Sequence, residues 1–298
     1  MRFSIGCIML VLFFASCVSN NENKTDSSDI RIVDGKEHVL TKAEKLEDYI
    51  LALDSSDVNS VSKATAKFKE LFEDKEDTLM NDQGVSIILD YLDKVSLYAN
   101  RNVFDDKTNY ESLVGIEFDG GKKSVPSELE SVYKAINSNG FRVRQSEGMF
   151  SLQQNPFYLQ EQFYPYISSN FEIYLQQLGK ENMEGYAEDA AIAIPYQSLV
   201  QRVIWWEDFS KATQNTVVGE EAKEQYNRYF TTLTIGMDNT PAIESEQIAA
   251  YFQDAYNYLE DFAPQSQTYQ RLKNYIALLE SEKIDSAKAL VPGILNEQ

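Results

Sequence analysis

Carboxylates are the only abundant reactive groups in this chain. It carries 47 Asp and Glu, one histidine (His38), and two cysteines (Cys7 and Cys17). That inventory excludes a zinc site built from several His or Cys ligands. A Ser-His-Asp triad would have to use His38, which sits in a poorly patterned segment and reads as a solvated surface residue. What remains is carboxylate chemistry, Ser/Lys chemistry, or none. Glu147 is the candidate acid or base. The pair Glu147-Gly148 stands between the short segments Phe141-Arg-Val143 and Met149-Phe-Ser-Leu152, so its carboxylate falls at a hairpin tip. Glycoside hydrolysis needs two such groups facing one bond. Glu207 or Asp208 is the candidate partner, although no pattern joins either to Glu147. A solvated turn residue explains Glu147 equally.

Three further residues are candidates for binding. Trp205 and Trp206 are the only tryptophans. Neighbouring helix positions point about 100° apart, so both cannot face one core. One is expected to be partly exposed, where its ring can stack on a sugar or a partner side chain. The alternative is that each ring anchors a separate helix contact. Asp238, in Asp238-Asn239-Thr240-Pro241, can shape a ligand-facing loop, yet these are also ordinary turn formers. The aromatic run from Phe157 to Tyr174 reads as core. No phosphate loop, nucleophile elbow or HExxH is present. The acids between Asn100 and Lys123 lack the order of a calcium loop, so no metal is assigned there. No cofactor is expected.

These residues must be positioned by a mainly helical body. Thr41 and Glu44 have capping-box spacing, followed by apolar residues at helical spacing from Leu46 to Leu53. A second helix is expected after Ser56, and a third over 82–98. The stretch 101–123 reads as a loop with a short strand at 113–118. Helical pattern resumes at Pro126 and stops at Gly140. One β-hairpin is expected near 141–153. Helices are then expected at about 186–194, 196–214, 219–236, 244–262 and 266–282, with Pro195 separating the first two. Trp206-Glu-Asp-Phe209 and Leu259-Glu-Asp-Phe262 each end a helix, an internal echo that suggests stacked helix pairs.

The net charge is −20. Nothing supplies a basic stripe, so nucleic acid is excluded as a partner. Acidic lipid headgroups would repel the body as well.

The first residues give an address. Arg2 precedes an apolar run from Ile5 to Phe14, which is too short to span a bilayer. Phe14-Ala15-Ser16-Cys17 closes it. This layout resembles the signal peptide of a bacterial lipoprotein; a plain secretory signal with a chance Cys is the alternative. The resemblance implies acylation of Cys17, which becomes the mature N-terminus and attaches the protein to a membrane through its lipid. With Val18 rather than Asp following, it implies the outer membrane. Cys7 would leave with the signal and Cys17 would be capped, which excludes a Cys nucleophile. The polar stretch after Cys17 reads as a flexible tether. The expected organisation is a signal peptide (1–16), a lipidated tether (17–38), a three-helix unit (39–100), the loop (101–123) and a repeat-like helical domain (124–298).

Two resemblances concern the body. Tyr258-Leu-Glu-Asp-Phe262-Ala-Pro264-Gln-Ser266 resembles the helix joint of tetratricopeptide-type repeats, over about one repeat. Glu147-Gly148-Met149, Trp206-x-x-Phe209 and Asp238-Asn239-Thr240-Pro241 resemble a set of exported bacterial lipoproteins of unknown function. They imply a solenoid-like helical fold and no activity. The reading that follows is a non-catalytic envelope module that binds a protein or glycan. A carboxylate-dependent glycan hydrolase and a structural spacer are the alternatives.

Overall fold

The structure is a computed structural model that describes residues 30–33, 35–118 and 123–296. The expected signal peptide and Cys17 lie outside the described residues. The chain divides into two units, Met1–Leu40 and Thr41–Gln298. In the first, β1 (Ile30–Val33) pairs antiparallel with β2 (Lys36–Val39), with Arg31 opposite His38. This hairpin lies at the end of the segment read as a tether.

The second unit is mainly helical. It opens with α1 (Lys42–Leu51), α2 (Ser60–Leu71) and α3 (Thr78–Val103). The capping box forms: Glu44 N–H donates to Thr41 Oγ1 (3.2 Å) and Thr41 N–H to Glu44 Oε2 (2.7 Å). Stripes of apolar residues from the three helices close on one another, with Phe68 stacked on Phe72. Gly84 lies against these two rings, where a Cβ would come within 2.7 Å of Phe72. The strand expected at 113–118 is absent. Glu111–Leu113 and Ile116–Phe118 are 3₁₀ turns that bury Leu113 and Ile116. Each single turn carries one apolar residue into the core, three positions apart, without needing a strand to pair with.

From there the chain repeats one theme. Helix α4 (Glu130–Ser138) leads into the hairpin β3 (Phe141–Ser146) and β4 (Met149–Gln154), then α5 (Pro156–Phe163). Helix α6 (Ser169–Glu184) leads into β5 (Ala187–Glu188) and β6 (Ala191–Ile192), then α7 (Tyr196–Thr213). Helix α8 (Gly219–Ile235) leads into β7 (Gly236–Met237), β8 (Thr240–Pro241), β9 (Ile243–Glu244) and β10 (Gln247–Ile248), then α9 (Ala250–Phe262). Helices α10 (Gln267–Glu280) and α11 (Ile284–Asn296) finish the unit. Each of the three helices before a hairpin is followed by a left-handed glycine: Gly140 (φ +82°), Gly185 (+77°) and Gly236 (+79°). That conformation turns the chain out of the helix at little steric cost.

The fold therefore matches the expected class, mainly α with small β-hairpins, but not its expectation of one hairpin. Five two-stranded sheets occur among the described residues. Residues 186–194 form a hairpin rather than a helix. The start of the expected helix at 244–262 is the β9–β10 hairpin. Tertiary bonds explain the first case. Asn239 of the next hairpin donates its N–H to Ala190 O (3.0 Å) and its side-chain amide to Asp189 O (2.5 Å). Both carbonyls belong to the tight turn, where Asp189 and Ala190 have φ of +48° and +52°. Within Thr41–Gln298 a single hydrophobic core runs from Leu46 to Ile294.

Candidate functional site

The four residues singled out for binding or chemistry do not converge. Glu147 lies at the tip of the β3–β4 hairpin in the left-handed region (φ +51°), with Gly148 beside it (+77°). Two positive φ values are what a type I′ turn requires. Its side chain is exposed and opens on a cleft of about 610 Å³ lined also by Arg101, Phe104, Asp105 and Met149. Asp105 is held below the usual carboxylate range by hydrogen bonds from the Lys107 amide and Thr108. It is therefore ionised and acceptor-only, unsuited to donating a proton.

Glu207 and Asp208, the supposed partners of Glu147, lie on α7 and line other clefts. Glu207 is buried and fully engaged. Its carboxylate accepts the amide hydrogens of Gln267 and Thr268 (2.8 Å each) and binds Lys211 Nζ at 2.5 Å. It closes the N-terminus of α10, a structural duty.

Asp238 is exposed at the β7–β8 turn. The polar bonds at this end of the fold run through its neighbours. Glu188 of β5 accepts from Ser146 Oγ (2.6 Å) and Glu147 N–H (3.1 Å), and Asn239 bonds the 189–190 turn. The three hairpin tips are thus joined in a row by polar bonds.

The tryptophan pair divides as helix geometry requires. Trp206 is fully buried and its indole N–H donates to Glu181 Oε1 at 2.8 Å. It offers no face to a ligand, which corrects its candidacy for binding. Glu181 is also buried. It accepts from Tyr229 Oη (2.7 Å) and Gln177 Nε2 (2.7 Å). Arg202, 3 % exposed, donates to Tyr229 Oη (3.2 Å) and Glu184 (3.0 Å). Burial, then the Glu181 charge, pushes the Tyr229 hydroxyl up to about 12.

Trp205 is half-buried. Its ring stacks on Phe209 (centroids 4.8 Å, 18°) and meets Trp206 edge-on. It forms one wall of a cleft of about 380 Å³ between α6, α7 and the end of α9. Phe262, 49 % exposed, forms another wall, and Gln177, Lys180, Gln201 and Asp208 surround them. Phe262 continues into a strip of rings: it stacks on Tyr258 (5.3 Å, 10°), and Tyr196 meets Tyr258 edge-on. The Tyr258 hydroxyl accepts from Gln201 Nε2 at 2.9 Å. Phe262 was missed as a site residue. The echo between Trp206-x-x-Phe209 and Leu259-x-x-Phe262 is no guide to it, because Phe262 ends α9 whereas α7 runs on past Phe209 to Thr213.

Two hollows lie on the other side of α6 and share Gln153, Leu178, Asn182 and Arg228 as wall residues. One, of about 510 Å³, carries Asp90, Asp93 and Glu221 above the buried rings of Phe171 and Tyr174. Burial pushes all three carboxyls up, and the charge of Asp93 raises Asp90 further. The other, of about 450 Å³, gathers Arg142, Arg144 and Arg228. None of these groups carried a motif in the sequence. Among the described residues no three His, Cys, Asp or Glu side chains stand together as metal ligands. No protein-family model, curated protein or solved structure matches this chain.

Proposed function

We propose that this chain is a lipid-anchored, non-catalytic binding module of the bacterial envelope that holds a glycan in the cleft walled by Trp205 and Phe262. One observation carries the reading: two rings from different helices share a small cleft with two amides, two carboxylates, an ammonium and a guanidinium. Sugar rings offer C–H faces that pack on aromatic rings, and hydroxyls that need donors and acceptors around the rim. A purely apolar partner would cover the charges of Asp208 and Lys180 without answering them, and desolvating a charge unpaired is costly. Paired helices supply such a groove without special chemistry.

Titration with envelope oligosaccharides, read by tryptophan emission, tests this. Trp205 and Trp206 are the only emitters, and Trp206 is sealed in the core. Phe262→Ala is expected to weaken binding at least about tenfold, or about 1.4 kcal/mol, with thermal stability nearly unchanged because the ring is half exposed. Trp205→Ala is expected to abolish the emission change as well as binding. If no oligosaccharide perturbs emission, or Phe262→Ala binds as well as wild type, the glycan assignment fails.

The anchor is tested separately. Among the described residues no helix is long and apolar enough to cross a membrane, and the Cys17 motif is what supports attachment. Each buried acyl CH₂ contributes about 0.8 kcal/mol, so two or three chains hold firmly. Cys17→Ser is expected to move the protein from the membrane to the soluble fraction. Retention of the variant in washed membranes would remove the lipid anchor from the proposal.

A further inference from the structure

Three of the eight arginines of this strongly acidic chain line one hollow. Arg142 and Arg144 come from β3, where alternate residues share a face. Arg228 comes from α8, and the wall between is the C-terminal part of α6. Their charges are unequally met. Arg144 reaches Glu188 at 3.6 Å, at the half-exposed rim. Arg228 has no ion pair among the described residues. Its guanidinium lies over the Tyr229 and Tyr186 rings (4.9 and 5.5 Å), and one N–H reaches Tyr229 Oη at 3.3 Å. Ring faces favour a cation but leave its remaining N–H groups to other acceptors.

Arg142 is the decisive residue. It is 7 % exposed, and one Nη donates to Asn182 O at 2.9 Å. The guanidinium rests on Phe118 at 4.9 Å; burial draws its pKa down, and the charge of Glu117 only partly opposes this. Its Nε–H nevertheless has no acceptor. A buried donor on a charged group left without a partner is costly. The other acids on the hollow are already engaged: Glu181 by Trp206, Tyr229 and Gln177, and Glu184 by Arg202.

We propose that this hollow is a second binding site, for an oxyanion such as a carboxylate or phosphate group, held between Arg142 Nε and the Arg228 guanidinium. Guanidinium N–H groups match both anions in geometry. The site is distinct from the aromatic cleft. Gln177 and Lys180 of α6 face that cleft, Leu178 and Asn182 face this hollow, and Glu184 borders both.

Thermal shift and calorimetric titration of the full chain with inorganic phosphate, and separately with glucuronate, test the proposal. Sodium chloride at matched ionic strength is the reference. At least one anion is expected to bind and raise the melting temperature above that reference. Arg228→Gln, an exposed change that leaves the core untouched, is expected to weaken binding at least tenfold. Arg142→Lys keeps a cation but removes Nε, and is expected to weaken it similarly. Lys223→Gln removes the same charge from α8 outside the hollow and is expected to bind like wild type. Preference for phosphate would assign a phosphate ester, and preference for glucuronate an acidic sugar. The proposal is overturned if neither anion binds beyond the chloride reference. It is equally overturned if Lys223→Gln weakens binding as much as Arg228→Gln does, since bulk charge would then explain the effect.

Discussion

Glu207→Ala is expected to cost about 3 kcal/mol of stability, because it removes a buried charge that several donors share. The Glu207 carboxylate, 2 % exposed on α7, caps α10 from across the core. It takes the amides of Gln267 and Thr268 at 2.8 Å, two donors that the helix itself cannot satisfy. Lys211, one helical turn on, neutralises it. Burial pushes the carboxyl up, but Lys211, Thr268 and Gln267 together outweigh burial and leave it below the usual range. The sign of the pH effect follows. A carboxyl depressed by folding contributes stability that is full above its unfolded value, about 4.3, and is lost as pH falls through the folded value. Glu207→Gln should therefore be costly at pH 7 and cost progressively less as the pH falls below about 4. Urea unfolding at both pH values checks this. Equal midpoints for Glu207→Gln and wild type at pH 7 would show that the cap is dispensable.

The same residue shows what the sequence could convey. Glu207 reads as one acid in an amphipathic helix, since its partners lie 60 and 61 positions away. Local signals were legible. Thr41 and Glu44 announced a helix start within four residues, Gly140 a helix end, and Glu147-Gly148 a tight turn. Each works through bonds or backbone angles within its own segment. Residues 186–194 were not legible. Their Ala-rich run favours a helix, yet Asn239 and Thr240 from the next hairpin bind the turn and strand. Tertiary bonds outweigh a propensity of a few tenths of a kcal/mol per residue. The tryptophan pair was half legible. Helix geometry demands that the two rings diverge, but which one enters the core depends on where Glu181 lies on α6. The arginine hollow was not legible at all, because β3 and α8 meet only in the folded chain.

The deepest consequence of such distant pairing lies at Glu181. Glu181→Leu is expected to cost about 3–5 kcal/mol, the range for breaking a buried charged network by removing one partner. Three donors converge on this one carboxylate: Trp206 Nε1, Tyr229 Oη and Gln177 Nε2. Leucine fills much of the volume but accepts nothing. It strands an indole N–H and a phenol in the core, and it leaves Glu184 as the one carboxylate beside the Arg202 guanidinium among the described residues. The loss should exceed that of Tyr229→Phe, which removes a single hydroxyl and about 1 kcal/mol. A double-mutant cycle of Glu181→Leu with Trp206→Phe removes the direct bond in each single variant, and a coupling of about 1–3 kcal/mol is expected for residues in one buried network. The network also ties α6, α7 and α8 together between the Trp205 cleft and the arginine hollow. Glu181→Gln, which keeps volume and one acceptor, should therefore fold and yet shift the Trp206 emission and loosen both walls. Additive effects across the cycle would mean that packing, not this carboxylate, sets the spacing of the three helices.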